Sequence, residues 1–380
     1  MKKRTKIIII ISVLIIFAVV LILILKPSDK ESVSPPDIND GELKTSTSTS
    51  KTQEEEFIIT RLSDEDKNVF DFWEDSTTNE ILYITPNGKI FSAKPGPDPE
   101  VSGREFTGIN RVRKNYTNDK VLISFGNPKS PSWGVFDTED RVWRPLPSYI
   151  QNITWSGDKV FAVVSTNQGN SLVSFDFEEL KNNGEKDYKV LLQNFNFNDV
   201  DIKYVPDNKI LIIEKTAEFY RSRVWEFNTE NQKISFMISP ERGLDLAWKN
   251  EVYFKYSSES NNFNILDKQL NTIVPLVFKT FPVKCGGGKN IYCFVPNNFP
   301  DNEQYELPDD YYKRKIYTLD TLYKINKESG ETEKVLSRLK NQGVYLDGVK
   351  PLEVKNKLLF KNRYNDALYQ INFIDTENNN

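Results

Sequence analysis

Between residues 69 and 373 the chain repeats one phrase: a turn, an apolar strand, a gap, then a second strand closed by Asp or Asn. The first strands read EILYIT (80–85), KVLISF (120–125), KVFAVV (159–164), KILIIE (209–214), EVYFKY (251–256), NIYCFV (290–295) and KLLFKN (357–362). Their starts lie 40, 39, 50, 42, 39 and 67 residues apart. The second strands read KIFSAK (89–94), WGVFD (133–137), LVSFD (172–176), VWEFN (224–228), FNILD (263–267), LYKIN (322–326) and LYQIN (368–372). A recurrence near 40 residues carried by strands alone is the signature of a β-propeller. The 317 residues from 57 to 373 divide into seven units of blade size.

Punctuation supports the phrase. Each first strand follows a tight-turn pair, among them Thr78-Asn79, Gly157-Asp158, Asp207-Asn208 and Lys355-Asn356. Asn, Asp and Gly tolerate the positive φ that short hairpins need. Ahead of several turns stands a segment long enough for an innermost strand: VFDFWED, INRVRKNY, IQNITWS, DVDIKYV, GLDLAW and FPVKC. The last repeat ends soon after LYQINF and lacks an outer strand, while FIITRL at 57–62 stands spare before the first repeat. Docking the spare strand on the last blade closes the ring and hides two sheet edges. The expectation is an all-β, seven-bladed propeller, with six or eight blades as the alternatives.

The N-terminus follows another pattern. Residues 7–25 form an uncharged apolar run, preceded by Lys2, Lys3, Arg4 and Lys6. As a helix, 19 residues span roughly 29 Å, the thickness of a bilayer core. The basic flank places residues 1–6 in the cytoplasm. LILILKPSD offers no small-x-small cleavage site, and no Cys follows before Cys285, so a single uncleaved transmembrane helix is expected rather than a signal peptide or lipid anchor. Residues 27–56 are polar, acidic and rich in Ser and Thr, a disordered linker. Residues 374–380 read as a short disordered tail. The propeller is therefore expected outside the cell membrane, with the membrane held through residues 7–25.

Charge and composition exclude several functions. Five basic residues belong to the anchor, leaving 45 basic against 54 acidic. This balance argues against a nucleic-acid partner. The chain contains no histidine, which removes Ser-His-Asp and Cys-His catalysis and every His-ligated metal site. It has no G-x-G-x-x-G or Walker motif for a nucleotide and no G-x-S-x-G elbow. No catalytic residue, metal or cofactor is expected. The six tryptophans are spread over the blades and are read mainly as packing between them.

Two local features carry candidate chemistry. Cys285 and Cys293 flank GGGKNIY, and a three-residue hairpin loop would set them opposite each other, a candidate disulfide in an oxidising compartment. Residues 296–318 form an insertion between the second and third strands of the sixth blade. Its Tyr305, Asp309, Asp310, Tyr311 and Tyr312 are the candidate binding residues, because exposed tyrosines make good contact surface. The carboxylates fit no dedicated calcium loop.

The W-S-x-D-G-like turns followed by I-Y-F-like strands, as in TWSGDKVFAV (154–163) and KYVPDNKILII (203–213), resemble the TolB-like propeller repeat family. The resemblance covers nearly all of residues 57–373. It implies a bacterial-type extracytoplasmic propeller that acts by binding other proteins. The expected function is that of a membrane-anchored, non-catalytic protein-binding or scaffolding module, with partners at the cell envelope. The alternative is a propeller that recognises or cleaves glycans with carboxylates in its central channel.

Overall fold

The computed structural model describes residues 58–373, apart from 116–118, 158, 178–187, 198, 275 and 337–343. The anchor, linker and tail expectations fall outside the described residues. No helix among the described residues is long and apolar enough to cross a membrane.

Among the described residues twenty-eight strands, numbered β1 to β28 in chain order, form seven antiparallel four-stranded sheets. The architecture is a seven-bladed β-propeller. The innermost strands are β2 (Asp71–Glu74), β6 (Ile109–Lys114), β10 (Ile150–Ser156), β14 (Val200–Val205), β18 (Asp245–Lys249), β22 (Cys285–Gly287) and β26 (Gly348–Val354). Within each of the first six blades the four strands pair in chain order. Second-to-third and fourth-to-first connections therefore share one face of the ring, here the upper face.

The apolar runs follow from blade packing. In β7 (Lys120–Phe125), Val121 and Ile123 pack with Trp73, Leu82 and Ile84 of blade one, while Leu122 packs with Ile150 and Val160 of blade three. In β15 (Lys209–Glu214), Ile210 and Ile212 face blade three and Leu211 faces blade five. Alternate side chains thus meet alternate neighbours, and both faces of the sheet are dry, so polar alternation disappears from the sequence. Seven apolar clusters result among the described residues, one at each interface between blades.

The ring closes with the spare strand. β1 (Ile58–Arg61) pairs antiparallel with β28 (Ala367–Asn372), from Ile58 opposite Asn372 to Arg61 opposite Tyr369. It supplies the outer strand of blade seven. The chain then turns inward along the seam: Leu62 N donates to Leu368 O at 2.8 Å, and the Ser63 hydroxyl accepts from Leu368 N at 3.1 Å. Asp64 and Asp98 exchange backbone-to-carboxylate bonds of 2.8 and 3.0 Å, tying this segment to blade one.

Candidate functional site

The insertion leaves β23 (Ile291–Pro296) and returns as β24 (Asp320–Ile325). Between them it crosses the upper face of three blades. Over blade five, Asn302 Nδ2 donates to Ser258 O at 3.1 Å. Leu307 is fully buried against Gly243, where a Cβ would come within 2.7 Å of Leu307 O. A single helical turn, α1 (Asp309–Tyr312), follows. Over blade seven, Arg314 forms an ion pair with Asp366.

This path sends the five candidate binding residues to different destinations. Tyr305 is 37% exposed. Asp309 pairs with Lys313 at 3.2 Å, and the buried Asp310 with Lys315 at 2.6 Å. Tyr311 points into the interior and is 1% exposed. Tyr312 reaches the mouth of the central channel, where its hydroxyl donates to Asp245. Tyr311 thus packs the fold, whereas Tyr305 and Tyr312 remain accessible. Cys285 and Cys293 face each other across β22 and β23 and are joined by a disulfide.

Tyr311 anchors the insertion to a buried ionic cluster. Its ring stacks on Phe281 with centroids 4.4 Å apart, and the Arg363 guanidinium lies 3.8 Å from its centroid. Its hydroxyl donates to Asp347 at 2.9 Å. Lys284, fully buried, binds Asp347 at 2.7 Å and also Asp320. Arg363 binds the second oxygen of Asp347 at 2.9 Å. Thr318 and Gly348 donate further bonds to the two carboxylates. Two cations face two anions, and every carboxylate oxygen has a donor, the condition under which buried charge is tolerated. Burial works against ionisation of both acids. At Asp347, Lys284 and Arg363 outweigh it and hold the carboxyl below its ordinary value; at Asp320 burial prevails over Lys284 and pushes it up.

The central channel has a different balance. It encloses a cavity of about 600 Å³, with walls drawn from all seven blades. Its charged lining comprises Asp71, Asp201 and Asp245 against Arg113, Lys114, Lys203, Lys249 and Lys350. Lys350 sits in a bulge of β26 at φ +55°, which turns its ammonium onto Asp71. Arg113 and Arg111 both bind Asp201, and Asp245 accepts from Tyr312. Three lysines are left without a carboxylate. Lys203 donates to Trp248 O at 2.6 Å, and Lys249 to Cys285 O at 2.8 Å and Pro282 O at 3.1 Å. Lys114 Nζ makes no hydrogen bond or ion pair among the described residues, although Asp71 acts on it through space.

Burial and the neighbouring Lys203 bring Lys249 down to about 7. Burial takes Lys203 to about 8 despite Asp201, and lowers Lys114 despite Asp71. Asp245 is pushed up by burial to about 6, against the Tyr312 hydrogen bond.

A third feature lies on the upper face beside the insertion. Tyr317, Tyr345 and Tyr364 are 43%, 57% and 42% exposed, with Leu319 at 40%. The rings of Tyr317 and Tyr364 stack at 5.4 Å, and Tyr345 lies 6.0 Å from Tyr364. Three separate connections contribute these rings, and the ionic cluster lies beneath them through Arg363, whose guanidinium is 5.2 Å from the Tyr317 centroid. Sequence reasoning missed this patch because its members share no spacing. The channel lysines left a faint signal: charged residues inside innermost strands, as in INRVRKNY and DVDIKYV.

No protein-family model matches the sequence, and no curated protein matches it. Solved structures do. An oligogalacturonate lyase from Vibrio parahaemolyticus aligns with a TM-score of 0.56 at 12% identity, over 83% of this chain and 94% of that one. The β-propeller domain of the Trilobed protease from Pyrococcus furiosus aligns with a TM-score of 0.47 at 12% identity, over 73% of this chain and 84% of that one. The first likeness shows the propeller fold and nothing finer, and no family model matches to support the TolB-like resemblance.

Proposed function

We propose that this chain is a membrane-anchored, extracytoplasmic propeller that acts as a non-catalytic protein-binding module, with its contact surface on the upper face of blades six and seven. The carrying observation is the cluster of Tyr317, Leu319, Tyr345 and Tyr364, exposed together over the buried ionic cluster. Tyrosine gives large contact area at small entropic cost and often dominates interface energy. The membrane anchor rests on residues 7–25, and the disulfide fits an oxidising compartment.

A photo-crosslinking residue at Tyr345 or Tyr364, in intact cells, should yield discrete adducts that Tyr317→Ser abolishes. The same residue at Phe236, 61% exposed on blade four, should yield none. Absence of adducts at both tyrosines, or equal adducts at Phe236, refutes the surface. Protease added to spheroplasts should release the propeller by cutting within 27–56; full protection refutes the orientation.

Glycan recognition in the channel is the second reading. It is supported by the aromatic walls formed by Trp155, Tyr204 and Tyr312, and by the fold shared with a protein described as an oligogalacturonate lyase. Against a hydrolytic version, Asp71 and Asp201 are ion-paired and Asp245 is bound by Tyr312, so no free carboxylate pair among the described residues faces the cavity.

A further inference from the structure

We propose that the central channel binds a small anion bearing two or more separated carboxylates, held by Lys114, Lys203 and Lys249. The site is independent of the tyrosine surface.

The first argument is charge. The chain as a whole carries a net charge of −4, yet its central channel is lined by five cations and three carboxylates. Two of those carboxylates are taken by Lys350 and by Arg113 with Arg111. The ammoniums of Lys203 and Lys249 find only backbone carbonyls, and that of Lys114 makes no hydrogen bond or ion pair among the described residues. Ammonium groups brought together in a partly dry cavity repel one another and lose hydration, so their placement costs stability. An anion offsets that cost.

The second argument is geometry. Asp71 and Asp245 begin their innermost strands and Asp201 is second in its own, so the acids lie toward the upper mouth. Lys114 and Lys249 end their strands, and Lys203 lies past the middle of its own, so the three lysines are rooted toward the lower face, and Lys249 reaches back along the channel to the Pro282 and Cys285 carbonyls. The three lysines come from blades two, four and five rather than one loop. Charges set apart in this way suit separated carboxylates better than a compact phosphate. The volume of about 600 Å³ accommodates a small molecule, and Trp155 and Tyr204 supply apolar wall between the charged points.

Protonation tunes the site. Lys249 faces Lys203, Lys350, Asp245 and Asp71, and Lys203 faces Asp201 and Arg113. Between pH 8.5 and 6.5 Lys249 and Lys203 gain protons, while Arg113 and Arg111 hold Asp201 below its ordinary value against its burial. Affinity should therefore rise several-fold on acidification.

The test is calorimetric titration of the full chain in detergent with citrate, digalacturonate and inorganic phosphate. The expected result is saturable one-to-one binding of citrate or digalacturonate, at least tenfold tighter than phosphate. Preference for citrate identifies a small polycarboxylate as ligand; preference for digalacturonate identifies an acidic sugar. Lys203→Met with Lys249→Met should weaken binding at least tenfold, and the exposed Lys334→Met should not change it. Should the double variant unfold, Lys114→Met decides, since its removal orphans no acceptor. The proposal is overturned if neither carboxylate binds, if phosphate binds equally well, or if the channel variants retain full affinity.

Discussion

Lys284 and Lys249 deliver their ammonium groups to the same corner of blade six and meet opposite fates. Lys284 enters a sealed cluster with Asp320 and Asp347. Lys249, coming from blade five, reaches the carbonyls of Pro282 and Cys285 on either side of it and faces the channel. The residue type is the same, and the flanking backbone is shared. What differs is whether an opposite charge is built in. Where it is, the charge belongs to the architecture, and removing one partner strands the others. Where it is not, the charge is held in reserve, and removing it relieves repulsion. The count of carboxylates within reach, rather than burial alone, separates a structural lysine from one available to a ligand.

The largest test of this contrast is Lys284→Met. Stranding two buried carboxylates should lower unfolding free energy by about 3–5 kcal/mol. Lys249→Met should change it by about 1 kcal/mol or less, since its carbonyl acceptors can turn to water. Denaturant unfolding of the two variants measures both; equal losses would erase the distinction.

The disulfide separates the two regions differently. Replacing Cys285 and Cys293 with Ser opens a loop of sequence separation 8 and should cost about 2 kcal/mol. Anion affinity should stay within a factor of two, because Lys249 binds the Cys285 carbonyl rather than its sulfur. A large loss of affinity would mean that the channel depends on the covalent link.

The smallest effect is in pH. Lys249 near 7 and Lys203 near 8 lie below the ordinary lysine value, so the unfolded chain binds more protons than the folded chain from about pH 7 upward. Stability contributed at these positions is therefore absent at low pH and grows as pH rises through that window. The melting temperature of the native chain should gain on that of Lys203→Met/Lys249→Met between pH 6.5 and 9. A constant difference would show that the lysines titrate normally.

The ring was legible in the chain because its rules are local and repeated. Val121, Leu122 and Ile123 announce a strand covered on both sides wherever the neighbouring blades lie. FIITRL was legible as the closing strand because seven phrases left one edge without a mate. The sites obey no such rule. Tyr311 and Tyr312 are adjacent and equally aromatic, yet one turns inward to Asp347 and the other outward to Asp245. Which way each turns is decided by blades five and seven, far off in sequence. Lys114, Lys203 and Lys249 could be noticed singly, but their convergence exists only after the ring has closed.

That closure has a consequence for biogenesis. The strand made first, β1, completes the blade made last, so Ile58 must wait until Asn372 has been synthesised before it has a partner. At about 5–20 residues per second this leaves roughly 15–60 s in which both edges are open. During that interval β28 cannot tell its own β1 from that of a sibling chain emerging alongside, because the two are chemically identical. Crowded synthesis should therefore produce strand-exchanged dimers, each ring sealed by the other's first strand. Such dimers would be native in every blade and wrong only in ownership.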